Sequence, residues 1–159
     1  MSTTGALKVA DEVWIATALL HRAHPDRADF TVQEIVDRAR REHAYPTLRP
    51  GIQVHAYSHC VANLAPVSGR YRMLYSTGKS TRRLFRTGDT AHPDRRGGKT
   101  SPTRSAIPTA YHHLLDWYAT TYSPPQAHDP ILSLRGRGKH LWRQEHADAY
   151  VSRLREGWA

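Results

Sequence analysis

His55 and His59 stand one helical turn apart and Cys60, the chain's only cysteine, follows directly, which makes this the grouping closest to a metal site. Two imidazoles at that spacing can share one cation, but a zinc needs a third and fourth ligand and the sequence nominates neither. No metal or other cofactor is therefore expected. Gly98-Lys99-Thr100 ends like a phosphate-binding loop, yet the full motif requires glycine where Pro93 stands, so that reading fails. Asp89, His92, Asp94, Arg95 and Lys99 supply the acid, base and cation types of a hydrolytic centre. In a loop so rich in glycine, proline and charge, neighbouring Asp and Arg neutralise one another instead, and the chain reads as non-enzymatic.

What remains is recognition chemistry carried by positive charge. The 159 residues hold 23 Lys and Arg against 14 Asp and Glu, a formal net charge of +9, and such a field attracts polyanions. The excess is concentrated between Arg70 and Arg104, where Arg70, Arg72, Lys79, Arg82, Arg83, Arg86, Arg95, Arg96, Lys99 and Arg104 face only Asp89 and Asp94. Immediately before this stretch, Val54, Tyr57, Val61 and Leu64 recur at helical spacing and predict a buried stripe. Gln53, His55, Ser58, His59 and Asn63 then turn outward as a polar, uncharged face, with Ser and Asn suited to base edges. Arg72, Lys79, Arg82, Arg83 and Arg86 fall on two apolar and aromatic runs around Gly78, the pattern of a hairpin with a longer turn. Arg95, Arg96 and Lys99 extend that basic surface into the following loop, and phosphate contact is the expected role of these cations.

The elements that must position these residues read as follows. A first helix is expected from about Leu7 to His24, on a stripe of Val9, Val13, Ala16, Leu19 and Leu20, with Pro25 as its stop. Thr31 and Glu34 form a capping box, and Phe30 and Ile35 a hydrophobic staple, at the start of a second helix running to about His43. Prolines 46 and 50 and Gly51 make the next segment a turn. The third helix and the hairpin follow. The fold class is mainly α with a small β-hairpin, and residues 1–122 resemble a winged helix-turn-helix domain. Residues 87–102 are too rich in glycine, proline and charge for regular structure, and either extend the basic surface or clamp a later helix to the hairpin. That later helix is expected over about Pro108 to Tyr122, with Tyr111, Leu114, Leu115 and Tyr118 facing inward. Residues 123–130 read as a proline-stiffened linker and 131–159 as a partner-binding tail.

In the tail, Asp129-Pro130 suits a helix start, and Gly136 and Gly138 its end or bend. Further on, Ala147, Tyr150, Val151 and Leu154 form one apolar stripe. Leu134-Arg135-Gly136, Gly138-Lys139, Trp142, Asp148, Tyr150-Val151, Leu154-Arg155-Glu156 and Trp158 resemble the C-terminal tail of VapB-type antitoxins, which neutralise PIN-domain ribonuclease toxins. The resemblance covers the last 30 or so residues. It implies that Leu134, Trp142, Tyr150, Val151, Leu154 and Trp158 anchor in a toxin groove beside Arg155. It also implies that Arg135, Arg137 or Lys139 approaches the acidic cluster holding the toxin's metal, where an arginine can make charge-assisted, bidentate bonds. The short swapped β-barrel usual in that family is not the pattern of residues 7–122.

The sequence therefore points to an antitoxin and autorepressor with DNA and a PIN-domain ribonuclease as partners. Homodimerisation is expected for palindromic operators. The alternative is a winged-helix transcription regulator or defence-system module without a toxin. No segment is long and apolar enough to cross a bilayer, no signal-peptide run opens the chain, and a lone cysteine fits a reducing compartment, so the cytoplasm is the expected location.

Overall fold

The computed structural model describes residues 7–42, 49–125 and 147–156. By contact density the chain divides into two compact units, Met1–Pro125 and Gln126–Ala159. The first is mainly helical with a small antiparallel sheet.

Helix α1, Val9–Ala23, carries Asp11 and Glu12 in its first turn and His21 and Arg22 in its last, both favourable to the helix dipole. The single stripe expected for it understates its burial. Besides Val13, Ala16 and Leu20 it buries Ala10, Trp14, Ile15 and Ala18, and even Asp11, Glu12, Thr17 and His21. A helix enclosed on nearly all sides is the centre of a domain, and the polar groups inside must find partners. Glu12 receives Arg49 Nε at 2.9 Å, Asp11 meets Lys99 Nζ at 3.4 Å, and Thr17 donates to the Val13 carbonyl at 2.8 Å.

Strand β1, Phe30–Thr31, leads straight into helix α2, Val32–Glu42. The capping box forms as the sequence predicts. Glu34 N–H donates to Thr31 Oγ1 at 3.1 Å, and Thr31 N–H donates to Glu34 Oε2 at 2.8 Å. Phe30 and Ile35 are both fully buried beside it. The expected turn before the third helix falls largely on residues 43–48, outside the described residues.

Helix α3, Gly51–Val54, continues into a π-helical turn, His55–His59. Strands β2, Leu74–Ser76, and β3, Thr81–Leu84, follow as the expected hairpin, in register Leu74↔Leu84, Tyr75↔Arg83 and Ser76↔Arg82. β1 pairs with the other edge of β3, giving the sheet order β1-β3-β2. Helix α4, His112–Trp117, extends through a second π turn, Tyr118–Tyr122, and buries Leu114 and Tyr118 as the stripe requires. Trp14 meets Tyr118 edge-to-face at 5.5 Å, tying α4 to the central helix.

The described part of the second unit is helix α5, Ala147–Glu156, with Asp148 in its first turn and Arg153 and Arg155 in its last. Val151 and Leu154 are both more than two-fifths exposed.

Candidate nucleic-acid interface

The π turn changes which side of the third helical segment faces out. Cys60 N–H reaches back five residues to the His55 carbonyl at 3.0 Å, so the wider turn rotates every later position relative to an ideal helix. Ile52, Ala56 and Cys60 occupy the core, whereas Val54 and Tyr57, expected inside, are 46% and 51% exposed. The helix also ends at His59. Val61 is buried as expected, but as a bridge to Leu74 and not as a helical residue.

The polar face is corrected accordingly. Gln53 is exposed, while His55, Ser58 and His59 are half-buried. Ser58 turns its hydroxyl back to the Val54 carbonyl at 3.2 Å. Asn63 is not available to a base edge: its amide takes Ser76 N–H at 2.9 Å and gives to the Ser76 carbonyl at 3.0 Å, copying a strand pairing. His55 Nδ1 lies 3.4 Å from the buried Cys60 Sγ, and burial pushes that thiol up to about 12. The His55 and His59 rings are 4.9 Å apart, and among the described residues no group of three or more His, Cys, Asp or Glu converges as a metal site would require.

Three of the cations expected on phosphate are committed inside the protein. Arg82 is 1% exposed. Its Nη1 donates to the Ser76 hydroxyl and the Gly78 and Thr81 carbonyls, and its Nη2 to the Tyr57 carbonyl at 2.9 Å, so it braces the hairpin turn against α3. Arg83 makes a bidentate pair with Asp89 at 2.7 and 2.8 Å and stacks over Tyr75 at 4.5 Å. Asp89 is held below its ordinary range by the Arg83 and Arg86 N–H bonds, which outweigh its burial. Arg95 is wholly buried. Its guanidinium donates to the carbonyls of Ser58, His59, Leu64 and Tyr71 at 2.6–3.0 Å, gathering the end of the helix and the approach to β2. Burial without a carboxylate lowers its affinity for the proton.

The loop after the hairpin is correspondingly a packed element. Arg72 N–H donates to the Lys99 carbonyl at 2.8 Å and Arg72 Nε to the Gly98 carbonyl at 3.0 Å, while His92 N–H donates to the Ala62 carbonyl at 2.8 Å. Of its acid, base and cation groups, Asp89 goes to Arg83, Lys99 to Asp11 and Arg95 to backbone carbonyls, while the His92 and Asp94 side chains lie 3.7 Å apart.

Lys79, at the hairpin turn, and Arg86 and Arg96 are exposed, with Arg72 and Lys99 half-buried beside them. Val54 and Tyr57 join Gln53 on the open face of α3, a result the sequence could have signalled only by the run Ile52, Ala56, Cys60, which keeps a four-residue step. Of the tail residues, Val151, Leu154 and Arg155 are exposed on α5 and Tyr150 belongs to the same helix. Leu134, Arg135, Arg137, Lys139, Trp142 and Trp158, together with the turn signals at Asp129, Pro130, Gly136 and Gly138, lie outside the described residues. Among the described residues no helix is long and apolar enough to cross a membrane.

Comparison of the chain with protein-family models, with curated proteins and with solved structures finds no match.

Proposed function

We propose that this chain is a non-enzymatic DNA-binding antitoxin and autorepressor, gripping duplex DNA with α3 and the β2–β3 hairpin and silencing a PIN-domain ribonuclease with its C-terminal segment. The observation that supports the DNA half is the element order α1-β1-α2-α3-β2-β3 with sheet order β1-β3-β2, an order compatible with a winged helix-turn-helix. In that arrangement the third helix enters the major groove and the hairpin lies along the backbone. Gln53, Val54 and Tyr57 are then the groove-facing side chains, and Lys79 and Arg96 the exposed cations for phosphate. The toxin half rests on the resemblance of the tail and on the open apolar stripe of α5, where Val151 and Leu154 stand in solvent. Buried aliphatic, aromatic and Arg side chains are the anchors that such a helix contributes to a partner groove.

Affinity for a duplex selected from a random library, measured over a range of salt, tests the first half. Lys79→Ala and Arg96→Ala should weaken binding across sequences and each reduce the slope of log K against log salt by about one. Slopes unchanged in both variants would remove the hairpin and its loop from the interface. Co-expression with the product of the neighbouring gene tests the second half. A silenced ribonuclease that co-purifies, and is released by Val151→Asp with Leu154→Asp, is the expected result; a ribonuclease active in the presence of the intact chain would end the antitoxin reading.

A further inference from the structure

A second basic site is formed at the end of α1. The C-terminal end of α1 with the turn after it, the second residue after β3, and the end of α4 with its π turn border a cleft of about 360 Å³, lined by His21, Arg22, Arg27, Arg86, Trp117 and Tyr122 among others. A volume of this size is in the range of small-molecule sites.

Its lining divides into two chemistries. Arg22 and Arg86 are exposed, and among the described residues neither has a carboxylate partner; Arg86 instead stacks over Tyr122 at 4.7 Å. Arg27 adds a third guanidinium, already paired with Glu34 and stacked over Phe30 at 4.4 Å. Opposed to these is an aromatic corner of Trp117 and Tyr122, half-buried, with ring centroids 5.1 Å apart and planes tilted by 43°; Tyr122 is covered by Arg86 and stacked with Tyr118, so Trp117 is the ring left for a ligand to stack on. His21 closes the floor. Its Nε2 accepts Leu84 N–H at 3.3 Å, which places the proton of the neutral ring on Nδ1 and leaves that atom a donor. Guanidinium groups offer planar bidentate donors to phosphate, and aromatic walls stack nucleobases.

We infer that this cleft binds a nucleoside phosphate, its base against Trp117 and its phosphate between Arg22 and Arg86. The same chemistry is presented by a free mononucleotide and by the 5′-phosphorylated end of a nucleic-acid strand. Burial above all, with the charges of Arg86 and Arg83 adding to it and Asp29 opposing, holds His21 at about 4, so the floor of the cleft is a neutral ring.

Calorimetry on the full chain tests this with adenosine 5′-monophosphate, adenosine and inorganic phosphate as probes. The monophosphate should bind one to one and at least about tenfold more tightly than either fragment, a difference of about 1.4 kcal/mol. Arg22→Gln with Arg86→Gln should weaken it by about tenfold or more, and Trp117→Leu should reduce the monophosphate to the affinity of phosphate alone. Both arginines are exposed, so the double variant should retain the parent circular dichroism and melting temperature, and Arg41→Gln, exposed on α2, serves as the surface control. Competition by a 5′-phosphorylated, but not a 5′-hydroxyl, oligonucleotide would assign the strand end as the source; no competition would assign the free nucleotide. Binding no tighter than phosphate, binding unaffected by the double variant, or no heat at millimolar monophosphate would each overturn the assignment.

Discussion

A guanidinium can serve as a surface charge or as internal scaffolding, and Arg95 and Arg96 take the two roles side by side. Arg95 donates to four carbonyls at the end of the third helical segment and ahead of β2, those of Ser58, His59, Leu64 and Tyr71; the Ser58 carbonyl also accepts Val61 N–H at 3.2 Å. Arg95→Met should cost about 3 kcal/mol or more by urea denaturation, because buried polar groups lose their donors. Arg96→Met should stay within about 0.5 kcal/mol, as exposed substitutions do. His21 sets a pH dependence. Its folded-state value near 4 lies below the ordinary 6.5, chiefly because burial disfavours the charged ring. Above pH 6.5 the ring is neutral whether folded or unfolded; as pH falls from about 6.5 to about 4 the unfolded chain takes the proton first and stability declines. His21→Gln keeps an acceptor for Leu84 N–H but cannot titrate, so its urea midpoint should fall less than the parent's across that window.

At the scale of elements, α2 was legible and the third helical segment was not. Thr31, Glu34, Phe30 and Ile35 act within a few residues of one another, so the sequence carries the whole motif. Thr31→Ala should lower stability by about 1 kcal/mol, the usual value of an N-cap, with a matching drop in thermal midpoint. In the third segment the same kind of periodicity misled, because Ile52, Ala56 and Cys60 take the core face and leave Val54 and Tyr57 exposed, and a π turn adds a five-residue step before the segment ends. The loop over residues 87–102 reads as irregular, and it is, but its order comes from close approach. A Cβ at Gly98 would lie 1.5 Å from the Arg70 carbonyl oxygen, which is backbone and cannot yield. Gly98→Ala should therefore destabilise far more than Gly97→Ala, where φ is +76° but the space is open. Parallel urea titrations would check the order; equal midpoints would mean that the loop is not packed against the strand.

On the scale of the whole molecule, the boundary at Pro125 separates two units with different proposed partners. A chain ending at Pro125 should hold its DNA affinity within about twofold and lose all toxin neutralisation, measured by duplex titration and by ribonuclease assay. By itself the sequence determined the class of elements, the capping box, the hairpin and the concentration of positive charge, because each depends on residues near one another along the chain. It also determined the tail's pattern of aromatics, glycines and cations. Only the tertiary structure decided which cations are free. Arg82, Arg83 and Arg95 are of the same type and in the same basic stretch as Lys79, Arg86 and Arg96, but the first three meet Tyr57, Asp89 and the carbonyls around Ser58 and Tyr71. Three of those partners lie between 24 and 37 residues away in sequence. Contacts at such separation leave no local pattern, and the burial that removes a charge from the surface is a property of the packed whole.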